Sequence, residues 1–261
     1  MGTTDRLLLF LDFEGTICTS RERHYVQYCE ALETLRQTLN LEDEKGLIPI
    51  SRKDFLAKYD SVSKYSELLP LTDAKSLEGK LARATFEREY SRILWQYSSE
   101  HQALEQILPG VLEALERLCR SAHCVIVSYT RQDQTEFCEH LQRLQVVAPG
   151  RICPEDVYCV GQDGRSSNQA KVELIKQRFG SEIEAQKARG SKPTYFGDAT
   201  GDMEAAAEVG IGFVGLTDTG KSRRSEFEDA LRHHGGPGPV AFFSALGSNE
   251  CVEYAETLGQ R

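Results

Sequence analysis

A short apolar run near the start of the chain places the strongest constraint on the fold. Leu7–Leu11 comprises five consecutive apolar residues between polar neighbours, a pattern typical of a parallel-sheet strand buried on both faces. Asp12 ends the run and Glu14 follows two residues later. Ligands of open parallel sheets bind beyond the carboxyl ends of the strands, where two acids repel unless a cation or a shared proton joins them. Asp12 is therefore a candidate metal ligand, a candidate nucleophile, or both, and an ordinary acidic turn is the alternative.

The bulk composition indicates a soluble globular protein. The chain has 261 residues, of which 40% are hydrophobic, and a formal net charge of -9 at pH 7. This charge argues against a nucleic acid held through its phosphates and against an anionic membrane surface. A phosphorylated substrate would therefore need a local cationic site.

The sequence favours a cytoplasmic location. It contains neither a membrane-spanning apolar segment nor a signal-peptide pattern. Its eight cysteines occur singly, without a C-x-x-C pair, so we expect reduced thiols. We also expect a monomer or a homodimer.

An extended helical block follows the first strand. From about residue 20 to 100, apolar residues recur at three- and four-residue steps, for example at Tyr25, Tyr28, Leu32 and Leu35, as in amphipathic helices. The block is far longer than a crossover between parallel strands requires. We therefore predict an all-helical domain over residues 20–103, inserted into a core domain formed by residues 1–19 and 104–261.

Helices and strands alternate after Pro109-Gly110. Apolar runs predict further strands at 124–128, 156–161, 193–198 and 211–216, with helices between them. This alternation predicts an α/β fold, with a Rossmann-like parallel sheet of about five strands flanked by helices. One of these helices is predicted over 167–179, and the polar stretch that follows it shows little helical signal. Beyond residue 216 the sequence indicates only a turn-rich break at 235–239 and a short helix at 251–258.

Further polar residues fall at the predicted ends of these strands or at the starts of the helices that follow. They are Ser128, Lys171, Asp198 and Asp202. Each has a simple explanation on its own: Ser128 could cap a helix, Lys171 could be a solvated helix residue, and Asp202 could stabilise a helix N-terminus. Because all of them are expected at the same edge of one sheet as Asp12, they indicate a single site.

These residues carry a resemblance to a known family. Asp12-Phe13-Glu14-Gly15-Thr16 resembles the first motif of the haloacid dehalogenase-like superfamily of phosphotransferases, and Val125-Ile126-Val127-Ser128 resembles the second. Lys171 is similar to the third motif and Gly197–Asp202 to the fourth, in the family's order. The helical block lies where one branch of the family inserts a helical cap domain.

The resemblance implies catalytic roles. Asp12 would attack phosphorus and form an aspartyl-phosphate, with Glu14 as the general acid and base. Ser128 and Lys171 would bind the transferring phosphoryl group, and Lys171 would offset the charge that develops in the transition state.

The resemblance also implies a Mg²⁺ cofactor. Its ligands would be the side chains of Asp12 and Asp198 and the backbone carbonyl of Glu14, with Asp202 as a ligand or beside the ligands. The implied activity is hydrolysis of a small phosphorylated metabolite.

The second acid departs from the family pattern and leaves alternatives open. The family most commonly has aspartate where this chain has Glu14. A phosphotransferase or phosphomutase would keep the same residues, and a catalytically weakened binding or regulatory protein is the third possibility. The nearby cations Arg21, Arg23 and His24 could meet a second anionic group of the substrate, or could form a solvated hinge and helix start.

Overall fold

The computed structural model describes residues 6–39, 47–58, 65–69, 77–95, 98–130, 132–161, 166–219, 222–234 and 240–258. The chain divides into two compact units. One comprises Met1–Thr19 and Gln106–Arg261, and the other comprises Ser20–Glu105.

The first unit contains every described strand. These strands are β1 (Leu7–Leu11), β2 (Cys18–Thr19), β3 (Gln106–Ile107), β4 (Ala122–Tyr129), β5 (Val157–Val160), β6 (Thr194–Gly197), β7 (Gly212–Leu216) and β8 (Val240–Phe243). Six of them form one sheet in the order β5-β4-β1-β6-β7-β8, and every pairing is parallel. β2 and β3 form a separate antiparallel pair. The predicted parallel α/β fold is confirmed, with one strand more than expected.

Every described secondary-structure element of the Ser20–Glu105 unit is a helix. Its helices are α1 (Arg21–Leu39), α2 (Arg52–Lys58), α3 (Leu77–Trp95) and α4 (Ser99–Gln102), with a 3-10 helix at Tyr65–Leu68. Buried aromatic rings join three of these helices, because Tyr28 of α1 lies 5.0 Å from Phe55 of α2 and 5.9 Å from Phe86 of α3 between ring centroids. Such rings bury large apolar areas and give the unit its own core.

Helices flank the sheet of the first unit. They are α5 (Val111–Ser121), α6 (Gln134–Arg143), α7 (Ser167–Ala188), α8 (Thr200–Val209), α9 (Arg224–His234) and α10 (Asn249–Leu258). Within the described part of the chain, no helix is long and apolar enough to cross a membrane.

β1 lies at the centre of the sheet and is buried on both faces. Leu7, Leu9 and Leu11 belong to one apolar cluster, whereas Leu8 and Phe10 belong to another. β4 and β5 lie on one side of β1, and the later strands β6 to β8 lie on the other. The carboxyl end of β1 is therefore the topological switch point, where ligands of such sheets bind.

The sequence-based end of α7 at residue 179 is wrong, because the helix continues to Ala188. Phe179 and Ile183 extend its buried face by one turn. Gln186, one turn further on, is 1% exposed. Its side-chain oxygen accepts the Leu8 N–H at 3.0 Å, and its amide donates to the Arg6 carbonyl at 2.8 Å. A polar residue thus anchors this turn to β1, which apolar periodicity does not reveal.

The end of the chain contains two elements that the sequence did not indicate, α9 and β8. β8 pairs with β7 alone and forms the sheet edge. All four of its residues are only partly buried, so it lacks the fully buried character of the central strands. The predicted break at 235–239 lies outside the described residues.

One ion pair makes the stability of this unit depend on pH. His123 Nε2 of β4 lies 2.7 Å from Asp156 Oδ1, and both side chains are largely buried. The hydrogen bond that His123 donates to the Asp156 carboxylate outweighs burial and raises the pKa of His123. The pair therefore stabilises the fold fully below the unfolded-state pKa of about 6.5, and this contribution is lost as pH rises through the higher folded-state value.

We expect Asp156→Asn to lower the free energy of unfolding by about 1 kcal/mol at pH 5.5 and by clearly less at pH 9. Urea unfolding at the two pH values measures this difference. Glu155→Gln, which removes the neighbouring exposed acid, is the control and should show no such pH dependence. An equal loss for Asp156→Asn at both pH values would contradict the assignment.

Candidate active site

Three aspartates from two distant parts of the chain meet at the switch point. Asp12 follows β1 and Asp198 follows β6, the strand that pairs with β1. The Asp12 N–H donates to the Phe196 carbonyl at 2.9 Å, which extends this pairing to the acid itself. Asp202 lies in the first turn of α8. Carboxylate oxygens of the three aspartates lie within 4.8 Å of one another, and all three residues are buried.

Lys171 supplies the cation of this cluster. Its Nζ lies 2.7 Å from Asp12 Oδ1 and 2.7 Å from Asp202 Oδ1, and the residue is 3% exposed. Burial alone lowers the pKa of the Lys171 ammonium, but the carboxylates of Asp12 and Asp202 outweigh burial and hold it well above the ordinary lysine value. Lys171 is therefore a buried ammonium ion. The cluster thus combines three aspartate side chains with one cation.

Tyr195 lies beside this lysine and was not singled out in the sequence. Lys171 Nζ is 5.6 Å from the centroid of its ring, a cation–π contact. The Tyr195 hydroxyl donates to the Val127 carbonyl at 3.1 Å. Burial raises the pKa of this hydroxyl well above its ordinary value, although the charge of Lys171 opposes the effect. Tyr195 is thus a neutral aromatic neighbour of the ammonium.

Two glycines give the carboxylates room against the backbone. Gly15 has φ +80°, and a Cβ at this position would lie 2.2 Å from Asp198 Oδ2. A Cβ at Gly197 would lie 2.5 Å from Asp202 Oδ2. Both glycines belong to the recognised motifs, but the sequence alone gave them no role. Their lack of a side chain allows two of the three acids to pack directly against the chain.

The structure does not bring Glu14 into this acidic group. Glu14 is partly buried and lies in the turn after Asp12, where it forms an isolated bridge with Cys18. Its carboxylate is not a member of the Asp12, Asp198 and Asp202 group. The expected metal contact of Glu14 was through its backbone carbonyl, and its acid–base role stays a prediction.

Ser128 is the penultimate residue of β4, which borders β1 on the side opposite β6. The strands are in register at Leu11 and Ile126, so Ser128 lies at the carboxyl edge two residues further on. It is 5% exposed. The topology places it at the predicted edge, and its binding of a phosphoryl group stays a prediction.

The acidic cluster fits a Mg²⁺ ion. Carboxylate oxygens are the hard ligands that this ion prefers, and a few of them suffice because Mg²⁺ keeps several waters. Asp12, Asp198 and Asp202 would hold it, and its charge would favour the close approach of their three carboxyl groups. Asp202 also accepts the Ala199 N–H at 3.3 Å through Oδ2. It therefore stabilises the helix start as well as contacting Lys171.

The cations after the first motif belong to the helical unit. Arg23 and His24 are buried, and Arg23 Nη2 lies 3.0 Å from His24 Nε2. Arg23 Nε lies 3.3 Å from Glu105 Oε1. These two side chains are therefore not solvated, whereas the helix start is confirmed, since α1 begins at Arg21.

Loss of the buried ammonium should destabilise the fold strongly. We expect Lys171→Met to lower the free energy of unfolding by about 3–5 kcal/mol in metal-free buffer, because Asp12 and Asp202 lose their shared cation. Lys176→Met is the matched control, since the ion pair of Lys176 with Glu208 is half exposed and contributes at most about 1 kcal/mol. Similar losses in urea unfolding of the two variants would contradict this assignment.

The role of Gly15 can be separated from its backbone conformation. Gly150 has φ +81°, and a Cβ added there would have no neighbouring atom within 4 Å. Gly150→Ala therefore reports backbone strain alone, which we expect to lower the free energy of unfolding by about 1–2 kcal/mol. We expect Gly15→Ala to lose more, because Asp198 must also move. Urea unfolding of both variants measures this difference, and equal losses would show that Asp198 yields without cost.

Comparisons with known proteins place this fold. The chain matches no protein-family model and no curated protein. Among solved structures, it is similar to a protein from Haemophilus somnus described as a predicted phosphoglycolate phosphatase, with 17% identity, a TM-score of 0.56, and coverage of 92% of this chain and 95% of that one.

Two further solved structures are similar over nearly their whole length. A protein assigned as a haloacid dehalogenase-like hydrolase from Bacteroides fragilis has 18% identity and a TM-score of 0.53, with 93% of this chain and 98% of that chain covered. A predicted phosphatase from Clostridium acetobutylicum has 14% identity and a TM-score of 0.50, with 98% and 99% covered. The chain therefore has the fold of the haloacid dehalogenase-like hydrolases, as the sequence resemblance implied.

Proposed function

We propose that this protein is a Mg²⁺-dependent phosphatase that hydrolyses a small phosphorylated metabolite through an aspartyl-phosphate on Asp12. The observation that carries the proposal is the contact of Lys171 with both Asp12 and Asp202, beside Asp198, at the switch point of the sheet. Burying several charges is costly, and replacement of such pairs by apolar residues is often neutral or stabilising. Buried charge clusters in a ligand-binding position are therefore candidates for functional sites.

The chemistry requires a nucleophile of fixed orientation. Lys171 holds Oδ1 of Asp12, and this contact orients the carboxylate. In the proposed first step, an Asp12 oxygen forms a bond to phosphorus while the bond between phosphorus and the substrate oxygen breaks. Glu14 donates a proton to the departing alcohol. Lys171 and Ser128 bind the phosphoryl oxygens and stabilise their charge.

The second step regenerates the enzyme. Glu14, now ionised, accepts a proton from water as the water oxygen bonds to phosphorus. The bond between phosphorus and Asp12 breaks, inorganic phosphate leaves, and both carboxyl groups return to their starting states. When bound, Mg²⁺ supplies positive charge beside the phosphoryl oxygens, held by Asp12, Asp198, Asp202 and the backbone carbonyl of Glu14.

The remaining parts of the proposal concern the helical insertion, the enzyme class, the cellular location and the oligomeric state. We assign the predicted insertion, residues 20–103, as a cap domain that selects the substrate, and residues 1–19 and 104–261 as the core domain. The names of the similar structures support the phosphatase class. All eight cysteines are free thiols, which supports a cytoplasmic location. A monomer or a homodimer is expected.

Phosphate release from a panel of phosphorylated metabolites tests the proposal. We expect release in Mg²⁺ and none in excess EDTA. Asp12→Asn should lower turnover by at least about a thousandfold, because the neutral amide is a poor nucleophile. It should leave the protein folded, since Lys171 keeps Asp202 as a partner.

Asp229→Asn is the matched control, because Asp229 is exposed on α9, and it should keep wild-type activity. Wild-type activity in Asp12→Asn would remove Asp12 from the mechanism. Phosphoryl transfer only when an alcohol acceptor is added would identify a phosphotransferase. Mg²⁺ binding without turnover on any substrate would favour a binding or regulatory role.

A further inference from the structure

We propose that Thr219 and Ser222, which follow β7, are positioning residues that set the separation of the carboxylates in the metal site. Neither residue belongs to the four recognised motifs, and neither is adjacent in sequence to an acid of the cluster. The inference rests on the proposed function, because it concerns the affinity of the same Mg²⁺ site. It adds a third stretch of the chain to the two that carry the aspartates.

Thr219 fixes the turn that follows Asp12. Its hydroxyl donates to the Gly15 carbonyl at 2.7 Å, across more than 200 residues of sequence. The Gly15 N–H donates to the Cys18 carbonyl, also at 2.7 Å. Both backbone polar groups of Gly15 are therefore engaged. Rotation of this residue would break at least one of these hydrogen bonds.

The position of Gly15 in turn defines the position of Asp198. The Asp198 carboxylate packs so closely over Gly15 that a single added carbon would overlap it. Close-packed groups transmit displacements because there is no free volume to absorb them. A shift of Gly15 after loss of the Thr219 hydrogen bond would therefore change the space available to Asp198.

Ser222 binds the backbone of Asp198, which is the partner of Gly15 in this close contact. Its N–H donates to the Asp198 carbonyl at 2.9 Å. Its hydroxyl oxygen accepts the Thr200 N–H at 3.2 Å. Thr200 is the first residue of α8, and the preceding Ala199 has no side-chain oxygen to cap that helix. Ser222 thus caps, from a distant position, the helix turn that presents Asp202.

Thr219 and Ser222 therefore contact the backbone beside the acidic cluster, although neither belongs to the cluster. One is bonded to the turn after Asp12, and the other to the backbone of Asp198 and the start of α8. Their removal leaves every proposed ligand in place and changes only how firmly the ligands are oriented. Loss of groups that orient metal ligands typically lowers metal affinity by about 10- to 100-fold.

The test measures Mg²⁺ binding directly by isothermal titration calorimetry on the full chain, well below the unfolding temperature. We expect Thr219→Val and Ser222→Ala each to raise the dissociation constant for Mg²⁺ by about tenfold. Thr219→Ser keeps the hydroxyl and should restore affinity to within about twofold of wild type.

Thr217→Val is the matched control. The Thr217 hydroxyl bonds to Asp218 and to the Phe243 carbonyl, not to the turn after Asp12, so this variant should bind like wild type. Unchanged affinity in Thr219→Val, or an equal loss in Thr219→Ser or Thr217→Val, would overturn the positioning role while leaving the proposed function intact. A wild-type protein that binds no Mg²⁺ would overturn this inference and the metal dependence together.

Discussion

The contact of one buried ammonium with two buried carboxylates is the interaction on which the site depends. Lys171 lies 2.7 Å from both Asp12 and Asp202, in surroundings where an unpartnered charge would be strongly destabilising. The attraction between these charges offsets the cost of burying them only if the charged atoms are held at hydrogen-bond distance. Strand pairing places Asp12, the first turn of α8 places Asp202, and Gly197 allows Asp202 to approach the backbone. The backbone conformation near the site thus keeps these charged groups at hydrogen-bond distance.

Parallel sheet topology explains how such distant residues meet. Asp12 and Asp198 are separated by most of the chain, but β1 and β6 are neighbours, so their carboxyl ends coincide. α7 returns to the same edge and brings Lys171 with it. The edge is therefore assembled by hydrogen bonding between strands, and the local conformation of each motif only has to project one polar side chain from a strand end or helix start.

Features that depend on local burial could be predicted from the sequence, whereas contacts between distant stretches could not. β1 was predicted with its observed bounds because an apolar run between polar neighbours reports burial directly. Asp12, Lys171, Asp198 and Asp202 were singled out together, because all of them fall at predicted strand ends or helix starts along one edge of the sheet and match the motifs of the family in order. Contacts between distant stretches leave no such local pattern. The hydrogen bond between Gln186 and Leu8 of β1, that between Thr219 and Gly15, and the position of Tyr195 beside Lys171 became visible only in the structure.

In the proposed mechanism, Glu14 takes part in proton transfer through its side chain and in metal binding through its backbone. The acidic group comprises the three aspartates and excludes the Glu14 carboxylate, and the expected metal contact at this position is a backbone carbonyl. A backbone atom is the same in aspartate and glutamate. In the proposed mechanism, the extra methylene of Glu14 would therefore lengthen the reach of the proton donor, while the backbone atom that contacts the metal would be the same. Because proton transfer requires hydrogen-bond distance to the leaving oxygen, the longer side chain would bear on which leaving groups the proposed enzyme can protonate, while Asp12, Asp198, Asp202 and the Glu14 backbone carbonyl would hold the metal.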